Sequence, residues 1–320
     1  MRISIAMATF NGGQFLRQQL ESFLAQTRRP DELIVCDDGS VDETLQILES
    51  FLVKAPFEVH VYRNPKQMGF VQNFAKAVGL CTGEIIFLSD QDDVWFPYKL
   101  ERIADVFFAH QDLLLVVNDA EITDKDLRPS GLTQIGQLLS AGLTIDNLVN
   151  GSCTAMSARL LAVVLPIPKE EIAHDNWIHK LAGAMSARQP LNEVLQYYRR
   201  HDASLSKSII SNNAPVSRWD LRRHYASGDA YSAAAKRMAG LERMCDRLHD
   251  VHQVSDDRKI RAGLSDALEK LKREYKMVSY RVYLLDRPLI VRIPLACLFW
   301  LRGGYDVFSG WKSLFKDLLT

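Results

Sequence analysis

Three features are missing from the 320-residue sequence, and each absence excludes a class of protein. No apolar run reaches the roughly 18 residues of a spanning helix, because the nearest candidate, 288–301, is interrupted by Arg292 and Pro294. The five cysteines are odd in number and form no C-x-x-C pair, so we expect buried free thiols in a reducing cytosol. Met1 and Arg2 lead straight into an apolar strand without a secretory signal pattern, which predicts a cytoplasmic protein.

The composition is that of a globular protein, with 47% hydrophobic and 24% charged residues, and excludes wholesale disorder. The 39 basic and 39 acidic side chains balance, but they are unevenly distributed. Residues 1–198 have a net charge of −9 and residues 199–320 a net charge of +9. An acidic front half argues against nucleic acid as a partner and favours carboxylates grouped for a metal. The basic rear half suits an anionic partner.

The front half alternates strands with helices. Apolar strands are predicted at 3–8, 32–37, 58–62, 84–89 and 113–117, with amphipathic helices between them. This alternation predicts an α/β fold whose mostly parallel sheet is covered on both faces. After residue 118 the pattern predicts a polar loop at 124–142, a returning strand at 151–156, a helix at 171–183 and a last strand at 193–199.

Polar side chains stand where several of these strands end. Thr9, Asp37, Asp38 and Asp90 each end or directly follow a strand. Ligands of such sheets bind beyond the carboxyl ends of the strands. The sequence therefore predicts one polar edge, built from three segments, as the functional site.

The segment Asp90-Gln91-Asp92-Asp93 concentrates negative charge at this edge. Carboxylates two residues apart repel each other unless a cation lies between them, and Mg²⁺ commonly takes one or two carboxylates plus phosphate oxygens. The alternative is a helix N-terminus, since Asp92 and Asp93 precede the helix that Pro97 opens. The second acidic segment, 37–42, admits both a turn with a helix cap at Asp42 and a carboxylate that faces a base or ribose.

Taken together, these segments resemble the family 2 glycosyltransferases, which have the GT-A fold. The resemblance rests on SIAMATFNG at 4–12, IVCDDGSVDET at 34–44 and LSDQDDVW at 88–95. HDNW at 174–177 and YRRH at 198–201 are similar to the rhamnosyltransferase-like branch that builds bacterial surface polysaccharides. The similarity covers about residues 2–205 and departs from that branch at Asn176, where an aromatic residue is usual.

The resemblance implies a role for each matching residue. It implies an inverting transfer from a nucleotide-diphosphate sugar, such as an L-rhamnose or another hexose or deoxyhexose donor, to a growing bacterial surface glycan. Asp175 matches the catalytic base, and Asp92, Asp90 and His201 match ligands of a divalent Mg²⁺ or Mn²⁺ ion. The nucleotide-sugar site would comprise Thr9, Asn11, Asp37, Asp38 and Asp90. The acceptor or sugar pocket would include Trp95, Trp177 and His174, although tryptophans in such positions are more often core.

Two other functions fit parts of the pattern. Nucleotidyltransferases also place metal-binding carboxylates on parallel sheets, but they usually open with a Gly-rich, basic loop, and residues 10–14 carry no cation. A non-catalytic scaffold with a transferase-like domain should have lost its carboxylates, yet Asp38, Asp90, Asp92 and Asp175 are all present.

The predicted domains are a catalytic domain at 1–205 and a helical region at 206–320. The first divides into a nucleotide-sugar half (about 1–118) and an acceptor half (about 119–205). The second contains an apolar seam from Leu264 to Leu285 at steps of four and three. A connector at 256–263 joins it to an earlier helical series, Met238 to Val251, which predicts a helical hairpin. Residues 281–320 have a net charge of +3 among aromatic and aliphatic side chains. This tail suits peripheral contact with an anionic inner membrane, near a polyprenyl-diphosphate-linked acceptor, or packing against a twin subunit in a homodimer.

Overall fold

The computed structural model describes residues 1–202, 209–226, 229–255, 258–308 and 310–319. The chain divides into two compact units. The first contains Met1–Gly183 and Ala187–Arg222, and the second contains Ala184–Ser186 and Arg223–Thr320. The predicted domain boundary at 205 lies in a segment, 203–208, outside the described residues.

The first unit is built on one sheet of nine strands. They are β1 (Ile3–Thr9), β2 (Glu32–Asp37), β3 (Glu58–Arg63), β4 (Ile85–Ser89), β5 (Val94–Trp95), β6 (Leu115–Thr123), β7 (Pro129–Thr133), β8 (Thr154–Ser157) and β9 (Arg188–Arg199). The strand order is β3-β2-β1-β4-β8-β6-β9-β5, and β7 pairs with β6.

The sheet is parallel in its first part and mixed beyond it. Strands β3, β2, β1 and β4 pair in parallel, as the alternating pattern predicts. The returning strand β8 then inserts antiparallel between β4 and β6. Strand β9 runs parallel to β6, and the short β5 pairs antiparallel with β9. The predicted α/β class is confirmed: the sheet is parallel from β3 to β4 and again between β6 and β9, and β5, β7 and β8 add the antiparallel pairings that make it mixed.

Helices cover this sheet because its central strands are apolar throughout. All six residues of β2 and all five of β4 are buried, which is typical of strands covered on both faces. The helices up to residue 226 are α1 (Gly13–Leu24), α2 (Thr44–Lys54), α3 (Phe70–Leu80), α4 (Lys99–Ala109), α5 (Gln134–Ser140), α6 (Leu161–Val164), α7 (His174–Ala184) and α8 (Arg218–Ala226). Leu16, Leu20 and Phe23 of α1 join the main core with Ile5 and Val35; each such large buried side chain contributes roughly 1.5–3 kcal/mol.

The predicted polar loop at 124–142 is instead structured. It contains β7 and α5, which begins where the Thr133 hydroxyl accepts the Gly136 N–H at 3.0 Å. Asp119 on β6 accepts the Ile135 N–H at 2.9 Å. Side-chain caps rather than an apolar period start this helix, so hydrophobic spacing alone could not predict it.

The second unit contains the helical region that the sequence predicts. Its helices are α9 (Ala230–Val254), α10 (Arg258–Leu285), α11 (Leu289–Leu301) and α12 (Trp311–Leu319). Helices α9 and α10 pack against each other, with Leu264, Leu271 and Val278 of the predicted seam buried. The predicted connector at 256–263 was too long, because α10 begins at Arg258; residues 256 and 257 lie outside the described residues. Over the part of the chain that the structure covers, no helix combines the length and apolarity needed to cross a membrane.

Candidate active site

The sheet order brings the predicted polar edge together. Strands β2, β1 and β4 are neighbours and parallel, so their carboxyl ends meet at one edge. Thr9, Asp37 and Asp38 lie there beside the segment that follows β4. The structure thus joins residues separated by as many as 80 positions in the sequence.

Asp37 organises the first loop at this edge. Its carboxylate accepts hydrogen bonds from the Thr9 hydroxyl at 3.0 Å, the Gly39 N–H at 3.1 Å and the Ser40 N–H at 2.9 Å, and also from the Ser40 hydroxyl. Asp37 is 0% exposed and Thr9 is 1% exposed. Both residues were predicted to face a ligand. In this structure they instead hold the 38–40 turn, because four protein donors already occupy the carboxylate.

Asp38 holds a second loop. Its carboxylate accepts the N–H groups of Met68 and Gly69 at 2.7 and 2.8 Å and the Asn64 side-chain amide at 2.8 Å. Gly69 has φ +82°, a conformation that favours glycine, and it directly precedes α3. Asp38 is buried, so its carboxylate orders loop 64–69 at this edge of the sheet.

The Asp38 network includes Asn64 and Lys76, which the sequence analysis did not single out. The Asn64 amide donates to Asn73 Oδ1 at 2.8 Å, and Lys76 Nζ donates to Asn64 Oδ1 at 2.7 Å. Asn73 in turn donates to the carbonyl of Cys36. Asn64 directly follows β3, so the strand-end rule applied to Asp37 would also have found it.

Asn11 and Gln91 tie two loops of the site together. Asn11 is exposed with φ +48°, and its Oδ1 accepts the Val41 N–H at 2.9 Å. The Gln91 side chain makes two hydrogen bonds with the Phe10 backbone, at 2.9 and 3.1 Å. The middle residue of the Asp90-Gln91-Asp92 segment therefore fixes that segment against the end of β1.

Asp92 contacts His201 directly. His201 Nε2 lies 2.8 Å from Asp92 Oδ2, and the imidazole packs in a tilted orientation against the Phe15 ring, with 4.6 Å between the ring centroids. Arg199 donates to the backbone carbonyl of Asp92 at 2.7 Å. The chain that follows β9 thus positions the acidic segment that follows β4.

The remaining carboxylates crowd negative charge around Asp90. Burial, followed by the charges of Asp92, Asp93 and Asp175, raises the pKa of Asp90 well above its usual value. Burial and Asp92 raise the pKa of Asp93 to about 7. Asp175, in the first turn of α7, is thus close enough for its charge to act on Asp90. Such a cluster favours a neutralising cation.

The donor set fits a divalent cation in its chemistry. Among the residues that the structure describes, no three His, Cys, Asp or Glu side chains form a ready-made metal cluster. Mg²⁺, however, commonly takes one or two protein carboxylates and completes its shell with phosphate and water oxygens. The Asp92–His201 contact and the disfavoured charge on Asp90 meet that requirement.

His174 lies beside the proposed base in an apolar niche. Its ring stacks on Phe74 at 4.1 Å, and burial lowers its pKa, which favours the neutral imidazole. Neither ring nitrogen has a hydrogen-bond partner within the described ranges of the chain. A Cβ on Gly151 would stand 2.8 Å from His174 Nε2, so a glycine keeps this nitrogen uncrowded.

The two predicted sugar-pocket tryptophans lie in the core. Trp95 is 2% exposed and packs on Phe23 at 4.8 Å, and Trp177 is 1% exposed with its indole N–H bonded to the Val164 carbonyl. Neither ring face is open to a sugar, so their burial does not support the platform role. Trp95 lies on β5 and Trp177 on α7, and each side chain is on the buried side of its element.

The buried Lys99 is linked to the acidic segment through hydrogen bonds with Gln196. Lys99, 0% exposed, donates to the Ser152 carbonyl at 3.0 Å and to Gln196, and it lies 4.0 Å from the Trp95 ring centre. The Gln196 amide donates to Asp93 Oδ2 at 2.8 Å. Burial lowers the pKa of Lys99 to about 8. No sequence pattern predicted this lysine, since it stands at the start of an otherwise ordinary amphipathic helix.

The fold is similar to that of a solved structure. S. aureus TarS residues 1–349, in complex with UDP, superposes with a TM-score of 0.53 at 17% identity, covering 86% of this chain and 91% of that one. Together with the mixed sheet and the helical C-terminal region, this likeness confirms the GT-A fold class.

Sequence relatives then give the family. The profile described as glycosyl transferase family 2 matches residues 4–158. The Nostoc glycosyltransferase alr2836 is 31% identical over 225 residues, which are 66% of this chain and 68% of the relative. The Shigella flexneri dTDP-rhamnosyl transferase RfbG is 33% identical over 103 residues, covering 31% of this chain and 36% of RfbG. The chain belongs to glycosyl transferase family 2.

Proposed function

We propose that this protein transfers a sugar from a nucleotide-diphosphate sugar to a hydroxyl group of a growing bacterial surface glycan, with inversion at the anomeric carbon. The observation that carries the proposal is the gathering of four side chains from three distant segments: Asp90 and Asp92 after β4, Asp175 on α7 and His201 after β9. Family membership supports the reaction class.

Asp175 is the proposed general base. An inverting transfer is a single displacement, in which the acceptor oxygen attacks the anomeric carbon as the bond to the diphosphate breaks. A carboxylate near the acceptor hydroxyl takes its proton. Asp175 stands in the first turn of α7, half-buried and beside the acidic cluster, whereas both ring nitrogens of the neighbouring His174 are buried.

Asp92, Asp90 and His201 are the proposed ligands of Mg²⁺ or Mn²⁺. When bound, the cation supplies positive charge against the departing nucleoside diphosphate. Arg199 and Gln91 hold the loop that carries these ligands. We infer that they fix its geometry before the donor binds.

The donor site is proposed along the loops that Thr9, Asn11, Asp37 and Asp38 organise. The likeness to TarS, solved with UDP, supports nucleotide binding at this edge. The match to RfbG supports an activated deoxyhexose, with dTDP-rhamnose as the first donor to test. In this proposal Asp37 and Asp38 act by shaping the loops rather than by touching the base.

The proposed acceptor is linked to polyprenyl diphosphate at the cytoplasmic face of the inner membrane. The basic C-terminal region supports peripheral contact with such a surface. The alternative for that region, a twin subunit, predicts a different behaviour in solution.

A donor panel tests the proposal. The full-length protein is incubated with dTDP-rhamnose and other nucleotide sugars, with Mn²⁺ or with chelator, and release of the nucleoside diphosphate is measured. Metal-dependent release with one donor, stimulated by a lipid-linked glycan, is expected. Release of pyrophosphate from a nucleoside triphosphate and a sugar phosphate would instead identify a nucleotidyltransferase. The absence of turnover and nucleotide binding with every donor would overturn the enzyme assignment.

A further inference from the structure

Helix α11 presents an apolar face to solvent. Its sequence, LIVRIPLACLFWL, contains one charged residue, and its buried side is formed by Ala296 and Phe299. Its exposed large side chains are Leu289, Ile290, Val291, Ile293, Leu298, Trp300 and Leu301. Ile290 is 84% and Leu301 73% exposed. Monomeric proteins in water rarely expose so many contiguous apolar side chains, and such patches mark interaction sites.

The one charge of α11 is turned away from this face. The Arg292 guanidinium donates to the carbonyls of Leu285 and Arg287, where α10 ends, and to the carbonyl of Asp317 on α12. A cation at a helix C-terminus is stabilising there. Because the Arg292 guanidinium binds carbonyls at the end of α10 and on α12, the outward surface of α11 carries no charged side chain.

Helix α12 also has one buried side and one side with exposed apolar side chains. Its inner side is held by a buried cluster, in which Asp317 pairs with Arg281 at 2.7 Å and accepts the Tyr305 hydroxyl at 2.9 Å. Its outer side exposes Trp311 and Phe315, one turn apart and stacked edge-on at 5.8 Å. Lysines at 312 and 316 flank this aromatic pair. Aromatic rings beside lysines are typical of helices that lie in a membrane interface.

We infer that the outward faces of α11 and α12 form a membrane-docking surface that inserts into the headgroup region of an anionic bilayer. The 13 residues of α11 extend about 20 Å, whereas the hydrocarbon core of a bilayer is about 30 Å thick, so the helix fits lying in the interface. The net charge of +3 over residues 281–320 complements anionic headgroups. The inference deepens the proposed membrane contact and does not depend on the transfer chemistry.

Charge also argues against a second copy as the occupant. In a two-fold dimer the same patch meets itself. Residues 281–320 have a net charge of +3, to which the exposed Arg302 and Lys312 contribute, so each copy would bring positive charge to the interface, and this opposes association. Anionic lipid neutralises the same cations.

Vesicle flotation tests the membrane-docking surface. The full-length protein is mixed with vesicles of phosphatidylcholine alone or with added phosphatidylglycerol, at low and high salt. We expect flotation with the anionic vesicles at low salt. The double variant Ile290→Asn/Leu301→Asn should lower the partition coefficient roughly tenfold or more, since two exposed aliphatic side chains no longer enter the interface. Arg302→Glu/Lys312→Glu should lower it at least about fivefold for each cation, on anionic vesicles only.

Phe108→Asn is the matched control, because Phe108 is 72% exposed but lies on α4 of the other unit. It should float like the wild type, and circular dichroism should show every variant folded. The inference is overturned if the wild type ignores anionic vesicles, if Phe108→Asn loses as much binding, or if sedimentation shows a dimer that Ile290→Asn/Leu301→Asn dissociates. Sugar transfer to a soluble acceptor is measured in parallel. If the wild type floats but neither it nor any variant transfers sugar, only the proposed function is contradicted. If the wild type transfers sugar but does not float, only the membrane-docking surface is contradicted.

Discussion

His201 Nε2 lies 2.8 Å from Asp92 Oδ2, although 109 residues separate the two in the sequence. The contact connects the segment after β9 with the segment after β4, and Phe15 of α1 supports the imidazole from one side. It brings an imidazole nitrogen and a carboxylate oxygen together at the edge of the sheet where the divalent-cation site is proposed. The order of strands in the sheet, rather than any local motif, brings them together.

Asp92→Ala should abolish sugar transfer and remove the metal dependence of nucleotide binding while the fold is kept. Even loss of a residue that only orients a metal ligand typically costs 10–100-fold, so loss of a direct ligand should cost more than about 100-fold. Calorimetric titration of UDP and dTDP with Mn²⁺ or with chelator measures the effect. Asp105→Ala, an exposed carboxylate on α4, is the control. Wild-type turnover in Asp92→Ala, or full wild-type activity in excess chelator, would contradict the metal assignment.

Asp175→Asn should separate binding from chemistry. The amide is nearly isosteric, so donor affinity should stay close to that of the wild type. It cannot take the acceptor proton, and a lost general base costs about 10²–10⁴ in rate. Turnover at saturating donor and the dissociation constant of the donor are measured side by side. A collapse of donor affinity with a normal rate at saturation would make Asp175 a binding residue instead.

The strand-end rule predicted where Thr9, Asp37 and Asp38 lie, but not what their side chains contact. Position at the sheet edge follows from strand direction, which hydrophobic spacing reveals. Orientation depends on which backbone N–H groups a turn presents, and those of residues 39, 40, 68 and 69 become visible only in three dimensions. The α/β class and the α9–α10 hairpin were predictable because each rests on long, regular apolar patterns, whereas the GT-A class was implied by the resemblance of the motif segments.

Asp38→Ala should destabilise the protein as well as weaken nucleotide binding. It leaves the buried Asn64 amide, and the part-buried N–H groups of Met68 and Gly69, without their acceptor. One buried donor without a partner costs about 1–3 kcal/mol, so the melting temperature of the first unit should fall by several degrees. Differential scanning calorimetry without ligand measures this, with the exposed Glu43→Ala as control. An unchanged melting temperature with weaker nucleotide binding would make Asp38 a direct ligand contact.

Lys99 and the two core tryptophans mark the limit of sequence reading. Helical spacing assigns position 99 to a first turn, where lysines are usually solvated. The structure buries it against Trp95 because Ser152 and Gln196, which arrive from distant segments, supply its acceptors. Contacts between segments so far apart produce no periodic pattern in the sequence.

The buried Lys99 should make stability depend on alkaline pH. Burial lowers the pKa of Lys99 to about 8 in the folded protein, below its ordinary value of 10.5. Between these two values the unfolded chain binds more protons, so the share of the unfolding free energy due to Lys99 rises with pH. Below pH 8 the folded protein therefore carries the whole free-energy cost of burying the charged lysine. This cost decreases as the pH rises towards 10.5, by at most about 3 kcal/mol.

Lys99→Met removes this titration, and the comparison with the wild type isolates it from other groups. The variant is expected to be less stable than the wild type, because Gln196 and the Ser152 carbonyl lose their donor. The stability advantage of the wild type should grow between pH 8 and pH 10, as measured by urea unfolding at both values. Lys54→Met, at the exposed end of α2, should show a constant difference from the wild type. A level advantage over this range would mean that Lys99 stays charged in the folded protein and that its pKa is not lowered, and a shrinking advantage would mean that its pKa is raised; either result contradicts the prediction.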